Sequence, residues 1–187
     1  HKEFPTIKLK VNADNLEKIL TKTRDLIPNQ KLIIDANEAF NIEDLKLNAD
    51  LFYKTRVNLI EQPLLSGNDN ELKGLNYPVS ICADESFHDS SDLDEMKNKY
   101  DTINIKLDKT GGLSEALIIA NEAKKLNLKI MLGCMVSSSL SMIPLLPLYQ
   151  FADFIDLDGP CFISHDRENG LIYEKGMILL NRDLCWG

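Results

Sequence analysis

No two cysteines in this sequence have C-x-x-C spacing, and no spacing typical of a zinc site occurs. Cys82, Cys134, Cys161 and Cys185 are scattered, the first two inside the apolar runs "VSICADES" and "IMLGCMV". The expectation is buried, reduced thiols, neither disulfides nor metal ligands. No stretch reaches the roughly 18 apolar residues of a membrane span. No signal peptide is recognisable, but the chain opens "HKEFPTIKLK" without Met, so that absence carries little weight. Positive charge is also short. Lys plus Arg number 21 against 29 Asp plus Glu, a formal net charge of −8. That balance argues mildly against a nucleic-acid or anionic-membrane partner; it is also the commonest surface of a soluble cytoplasmic protein, so by itself it identifies nothing. Low-complexity segments and flexible linkers are missing too. What remains is an ordinary globular composition, 44% apolar and 27% charged, in 187 residues: one domain or a large piece of one.

Short apolar runs recur, each ending in a polar residue. They are "TIKLK" ending at Lys10, "KLIID" at Asp35, "VNLIE" at Glu61, "VSICAD" at Asp84, "INIK" at Lys106, "LKIMLGC" at Cys134 and "DFIDLD" at Asp158. Successive ends are 25, 26, 23, 22, 28 and 24 residues apart, the length of one strand, one helix and two loops. Between them, 12–28, 42–57 and 113–128 carry apolar residues at helical spacing, the last at 113, 116, 117, 120 and 123. The segment 91–100 opens with Ser91 and Asp94 at capping-box spacing, while Pro144 and Pro147 restrict helix in 138–151. Strands alternating with helices imply a parallel sheet with right-handed crossovers, and continuous apolar strands imply one covered on both faces. The expected fold is α/β, an incomplete (β/α) barrel over residues 1–160 holding seven of eight strands. Beyond it, 161–187 reads as a tail with a short hairpin.

The strand C-terminal ends of a parallel barrel share one face, where catalysis sits. Lys8, Lys10, Asp35, Glu61, Asp84, Lys106, Asp156 and Asp158 all fall at such ends. Asp35, Glu61 and Asp84 close three consecutive strands. Carboxylates brought together disfavour one another's charge unless a cation lies between them, and an all-oxygen set suits a hard ion such as Mg²⁺. In eight-strand counting, Lys8 and Lys10 lie on the second strand and Lys106 on the sixth, facing across the mouth. Facing amines suit proton removal on one side of a carbon and delivery on the other. Lys8 and Lys10, two apart, point the same way, and each disfavours the other's charge, which favours a general base. A lysine ending the buried-looking "INIK" costs several kcal/mol unless something uses the charge. His88 and His165 lie in polar loops and are expected at the surface.

Taken together, "KLK" at 8–10, "DAN" at 35–37, "EQP" at 61–63, "ADES" at 83–86, "IKLDKTGG" at 105–112, "GCM" at 133–135 and "DLDGP" at 156–160 resemble the enolase superfamily. The likeness is to its muconate-lactonizing-enzyme-like subgroup and, within that, to the dipeptide epimerases. The resemblance implies that Asp35, Glu61 and Asp84 bind Mg²⁺. It implies that Lys10 and Lys106 are the acid/base pair on opposite faces of the substrate and that Lys8 tunes Lys10. The implied chemistry is 1,1-proton transfer alpha to a carboxylate through an enediolate. Asp156 and Asp158 match the D-x-D pair that binds the α-ammonium group of a dipeptide.

Three departures accompany the resemblance. The superfamily's capping domain is missing, as are the first barrel strand and its helix. Ser137 stands where many relatives have a glutamate. The missing part, or another subunit, is expected to cover the open strand edge, and the tail is expected to pack toward the capping domain. Rival expectations are a cycloisomerase or o-succinylbenzoate synthase on the same scaffold, a non-catalytic metal-binding fragment, and an unrelated α/β binding domain.

Overall fold

The structure, a computed structural model, describes residues 3–180 and residue 184. Cys185 and most of the final residues of the expected tail lie outside the described residues. The chain divides into two compact units. The first runs to Ser86 and includes Glu95–Thr102; the second comprises Phe87–Asp94 and the chain from Ile103 onward.

The first unit alternates strand and helix: β1 (Thr6–Lys10), α1 (Leu16–Leu26), β2 (Lys31–Asp35), α2 (Ile42–Lys54), β3 (Leu59–Glu61) and β4 (Ser80–Ala83). Its strands pair in sequence order, all parallel. Register matches Lys10 to Asp35, Asp35 to Glu61 and Glu61 to Cys82, so one row of the sheet carries a lysine and two carboxylates. β2 is buried from Leu32 to Asp35, the covered strand that its unbroken apolar run implies. α1 buries Leu16 and Leu20, one turn apart, and α2 buries Ile42, Leu45 and Phe52. Burying one such side chain contributes about 1.5–3 kcal/mol. α2 starts at a capping box. The Asn41 side chain accepts from the Asp44 backbone N–H at 2.8 Å, and the Asp44 carboxylate accepts from that of Asn41 at 3.0 Å. Both helices stop short of the expected 28 and 57. The Arg24 guanidinium meets their C-terminal carbonyls, donating to Ile27 and Gln30 after α1 and to Thr55 and Arg56 after α2 at 2.8–2.9 Å.

The second unit contains the start of α3 (Leu93–Met96), which follows a 3₁₀ turn at Ser90–Asp92. The capping box there is Asp89 with Asp92, not Ser91 with Asp94. Ser91 lies inside the turn, where its N–H and hydroxyl both donate to Asp89. β5 (Thr102–Ile105), α4 (Leu107–Thr110), α5 (Leu113–Lys125), β6 (Lys129–Leu132), α6 (Ser139–Met142) and β7 (Phe154–Ile155) follow. α5 buries Ala116, Ile119, Ala120 and Ala123, so Ile119 rather than Leu117 completes the inward stripe. Gly133, just past β6, leaves no room for a side chain: a Cβ would stand 2.3 Å from Asn104 Oδ1. After α6 the chain continues as a 3₁₀ run, Ile143–Phe151, because Pro147 cannot donate an α-helical hydrogen bond. β8 (Ile172–Glu174) and β9 (Met177–Leu179) form the hairpin, turned through Lys175 and Gly176, both at positive φ as a type I′ turn requires. Among the described residues, no helix is long and apolar enough to cross a membrane.

Cys82 is buried, but Cys134 is only partly so and Cys161 is exposed. The expectation of uniformly buried thiols therefore fails at Cys161, which lies on the exposed second half of the 3₁₀ turn Gly159–Phe162, after the buried Gly159 and Pro160. His88 and His165 are exposed, as expected.

Candidate functional site

In the first unit, strand ends deliver five of the named residues to one place. Asp35 closes β2 and Glu61 closes β3, while Asp84 follows one residue after β4. By register Asp84 stands two residues beyond the row of Asp35 and Glu61, because Glu61 pairs with Cys82. All three carboxylates are buried, with exposures of 3%, 0% and 4%. The Lys8 ammonium lies 3.1 Å from Asp35 Oδ2 and 2.8 Å from Glu61 Oε2, bridging the two. Lys10, on the same side of β1, approaches the same Asp35 oxygen at 3.8 Å and donates to Asn37 Oδ1. The shared partner fits the expectation that the two lysines point the same way.

Burial raises the Glu61 carboxyl most; Lys8 opposes, Asp35 and Asp84 add to the rise, and the result is about 7. Two neighbouring carboxylates acting on a third describe a site short of positive charge. Three buried oxygen-donor side chains without a soft ligand fit a hard divalent ion by chemistry. Among the described residues, no group of three His, Cys, Asp or Glu side chains is arranged to hold a metal, and Lys8 supplies the bridging cation instead.

Residues next to the ligand candidates also take part, although the sequence reading gave them no role. Asn37 donates its backbone N–H to Asp35 Oδ1 at 3.1 Å and its side-chain amide to Glu85 Oε1 at 3.2 Å. Gln62 is fully buried. Asn37, Glu38 and Gln62 have φ of 40°, 67° and 34°. Left-handed backbone at non-glycine residues persists only where the surroundings impose it, and it concentrates at functional sites. The available signal was position: each follows within three residues of a strand-ending carboxylate.

In the second unit, Lys106 is half-buried at the N-cap position of α4. Asp156, half-buried, follows β7, and Asp158 is exposed ahead of the Gly159–Phe162 turn. Cys134 links them. Its thiol is pushed up to about 11, first by burial and further by Asp156 and Asp158, against a hydrogen bond from the Gly159 backbone and the charge of Lys106. All three predicted residues of this unit therefore act on one sulfur, which donates to the Asp156 carbonyl at 3.4 Å. Ser137 is half-buried, its hydroxyl donating to Met135 O at 3.2 Å.

A family model described as "Enolase C-terminal domain-like" matches residues 1–180. The chain is 39% identical over 183 residues to an N-acetyl-D-glutamate racemase of a Pseudoalteromonas species, covering 98% of this chain and 58% of that protein. It is 41% identical over 174 residues to the L-Ala-D/L-Glu epimerase of Escherichia coli K12, covering 92% and 54%. Among solved structures, it matches an enolase family member from Agrobacterium tumefaciens with homology to dipeptide epimerases, bound to sodium and L-Ala-L-Glu. That match has a TM-score of 0.92 at 43% identity over 98% of this chain and 56% of the other. A dipeptide epimerase from Methylococcus capsulatus, complexed with Mg and L-Arg-D-Lys, matches with a TM-score of 0.88 at 27% identity over 96% and 54%. The chain thus spans little more than half the length of the proteins it resembles.

Proposed function

The chain belongs to the enolase C-terminal domain-like family, and we propose that it forms the barrel part of a Mg²⁺-dependent dipeptide epimerase. Asp35, Glu61 and Asp84 hold the ion. When bound, Mg²⁺ supplies positive charge against the substrate carboxylate as negative charge develops on it. Lys10 removes the α-proton from one face of the carbon and Lys106 returns one to the other, inverting the centre. Lys8, held by Asp35 and Glu61, keeps a positive charge beside Lys10 and fixes the carboxylates. Asp156 and Asp158 take the α-ammonium of the dipeptide. The barrel's first strand and the capping domain would come from a segment outside this sequence or from another subunit, toward which the tail 161–187 would pack.

The observation that carries this reading is the buried pair Asp35 and Glu61 bridged by Lys8, with Asp84 acting on Glu61, whose carboxyl is raised to about 7. Its test is incubation with Mg²⁺ and L,L-dipeptides in D₂O. Inversion of the centre with uptake of α-deuterium is expected, and inversion should disappear in Lys106→Ala, where Lys10 can exchange the proton only on its own face. If Lys106→Ala inverts the centre as fast as the parent chain, the two-lysine mechanism is wrong.

The 39% identity to an N-acetyl-D-glutamate racemase favours a second reading, racemisation of N-acylated amino acids. Such substrates lack the α-ammonium of a dipeptide and gain nothing from Asp156 and Asp158. Asp156→Ala separates the two: it weakens turnover of L-Ala-L-Glu under the first reading and leaves N-acetylglutamate turnover intact under the second.

A further inference from the structure

We propose that a buried hydrogen-bond chain, Lys99–Asp69–Tyr100–Gln62, fixes the spacing of Glu61 and Asp84 and so sets the divalent-ion affinity of the site. Gln62 and Tyr100 are its positioning residues. The proposal rests on the metal reading of the carboxylates given above.

Gln62 directly follows Glu61 and bridges two strand ends. Its Oε1 accepts from the backbone N–H of Asp84 at 2.8 Å and of Ser86 at 3.1 Å. Its Nε2 donates to Leu64 O and Ser86 Oγ at 2.8 Å each, and to Tyr100 Oη at 3.2 Å. Two donors on one side and three oxygens on the other leave one workable orientation for the amide. One side chain thus pins the segment after β3 to the segment after β4, and each segment carries a candidate ligand.

The remaining links orient that amide. Tyr100 Oη donates to Asp69 Oδ2 at 2.7 Å, which leaves its lone pairs to accept from Gln62. Lys99 Nζ donates to Asp69 Oδ1 at 2.7 Å and also contacts Glu95. The Asp69 and Lys99 side chains are 2% and 4% exposed. A buried ion pair is weak evidence for stability alone, and this one sits where it dictates the direction of every hydrogen bond leading to Asp84. Partners that orient metal ligands in this way typically govern affinity by about 10–100-fold.

The test is calorimetric titration of the chain with MgCl₂, alongside thermal unfolding without metal, for the parent, Gln62→Met, Tyr100→Phe and Leu20→Ala. Leu20 is a fully buried apolar residue of α1 in the same unit, outside the hydrogen-bond chain, so its truncation reports lost stability. The expected result is about tenfold weaker Mg²⁺ binding in Gln62→Met and Tyr100→Phe. Leu20→Ala should melt earlier at unchanged affinity. If Gln62→Met does not fold, Tyr100→Phe decides. Unchanged affinity in the polar variants, or equal weakening in Leu20→Ala, overturns the positioning role and leaves the metal site standing. No Mg²⁺ binding by the parent chain overturns both.

Discussion

The two units present charge in opposite ways. In the first, Asp35, Glu61 and Asp84 are buried, Lys8 bridges the first two, and the backbone after Asp35 and Glu61 is held in left-handed conformations. In the second, Asp158 is exposed and Lys106 and Asp156 are only half-buried. Buried carboxylates draw little on solvent for a counterion, and Lys8 supplies one to Asp35 and Glu61. The second unit leaves its charged groups in greater contact with water. Under the function proposed above, the first unit would hold the ion and the second would meet the substrate.

Lys106→Ala gives the sharpest test of that contrast. A general acid/base contributes about 10²–10⁴-fold, so epimerisation should fall by that factor, while Mg²⁺ affinity, a property of the other unit, should not move. Calorimetry paired with deuterium exchange measures both.

Glu61→Gln attacks the buried side. The carboxyl of Glu61 is raised from 4.5 to about 7, chiefly by burial. Between those values the folded chain binds more protons than the unfolded one, so stability is full below about pH 4.5 and falls as pH rises through 7. Without divalent metal, unfolding free energy should drop by about 2–3 kcal/mol between pH 4.5 and pH 7.5. Urea melts should show this slope in the parent and its loss in Glu61→Gln. A slope that survives the substitution assigns the titration to another group.

Asp156→Ala should act more mildly, because a half-hydrated carboxylate competes with water for its ligand. A charge-assisted hydrogen bond lost there corresponds to about tenfold in kcat/KM for L-Ala-L-Glu. A loss as large as that of Lys106→Ala would mean that Asp156 does more than bind an ammonium. The smallest effect belongs to Asn41→Ala. Asn41 is an exposed helix cap in the same unit as the buried carboxylates, and its loss should cost about 1 kcal/mol in thermal unfolding with no change in Mg²⁺ affinity.

The strand ends were legible because a covered parallel strand is largely apolar, so a charge closing the apolar run marks where the strand stops. At β1, β2 and β3 that charge is the last strand residue; at Asp84, Lys106 and Asp156 it is the next one. The start of α3 was misplaced because Ser91–Asp94 and Asp89–Asp92 share one spacing, and only the three-dimensional turn shows that the Ser91 hydroxyl donates rather than caps. Cys161 was misjudged because cysteine composition says nothing about which residues of a turn face water. Gln62 could not have been singled out. Its role depends on Tyr100, 38 residues away, and no local pattern joins them. The motif "EQP" was visible, but the work of its middle residue was not.

Arg24 ties the last turns of α1 and α2 to one guanidinium, whose fork reaches carbonyls beyond both helices. A lysine has one nitrogen and cannot meet four separated oxygens. The two helix ends are therefore coupled, since opening α1 strips donors from the carbonyls after α2, and opening α2 leaves N–H groups of Arg24 without acceptors. Native-state amide exchange should find them opening as a single cooperative segment, and Arg24→Lys should split it into two.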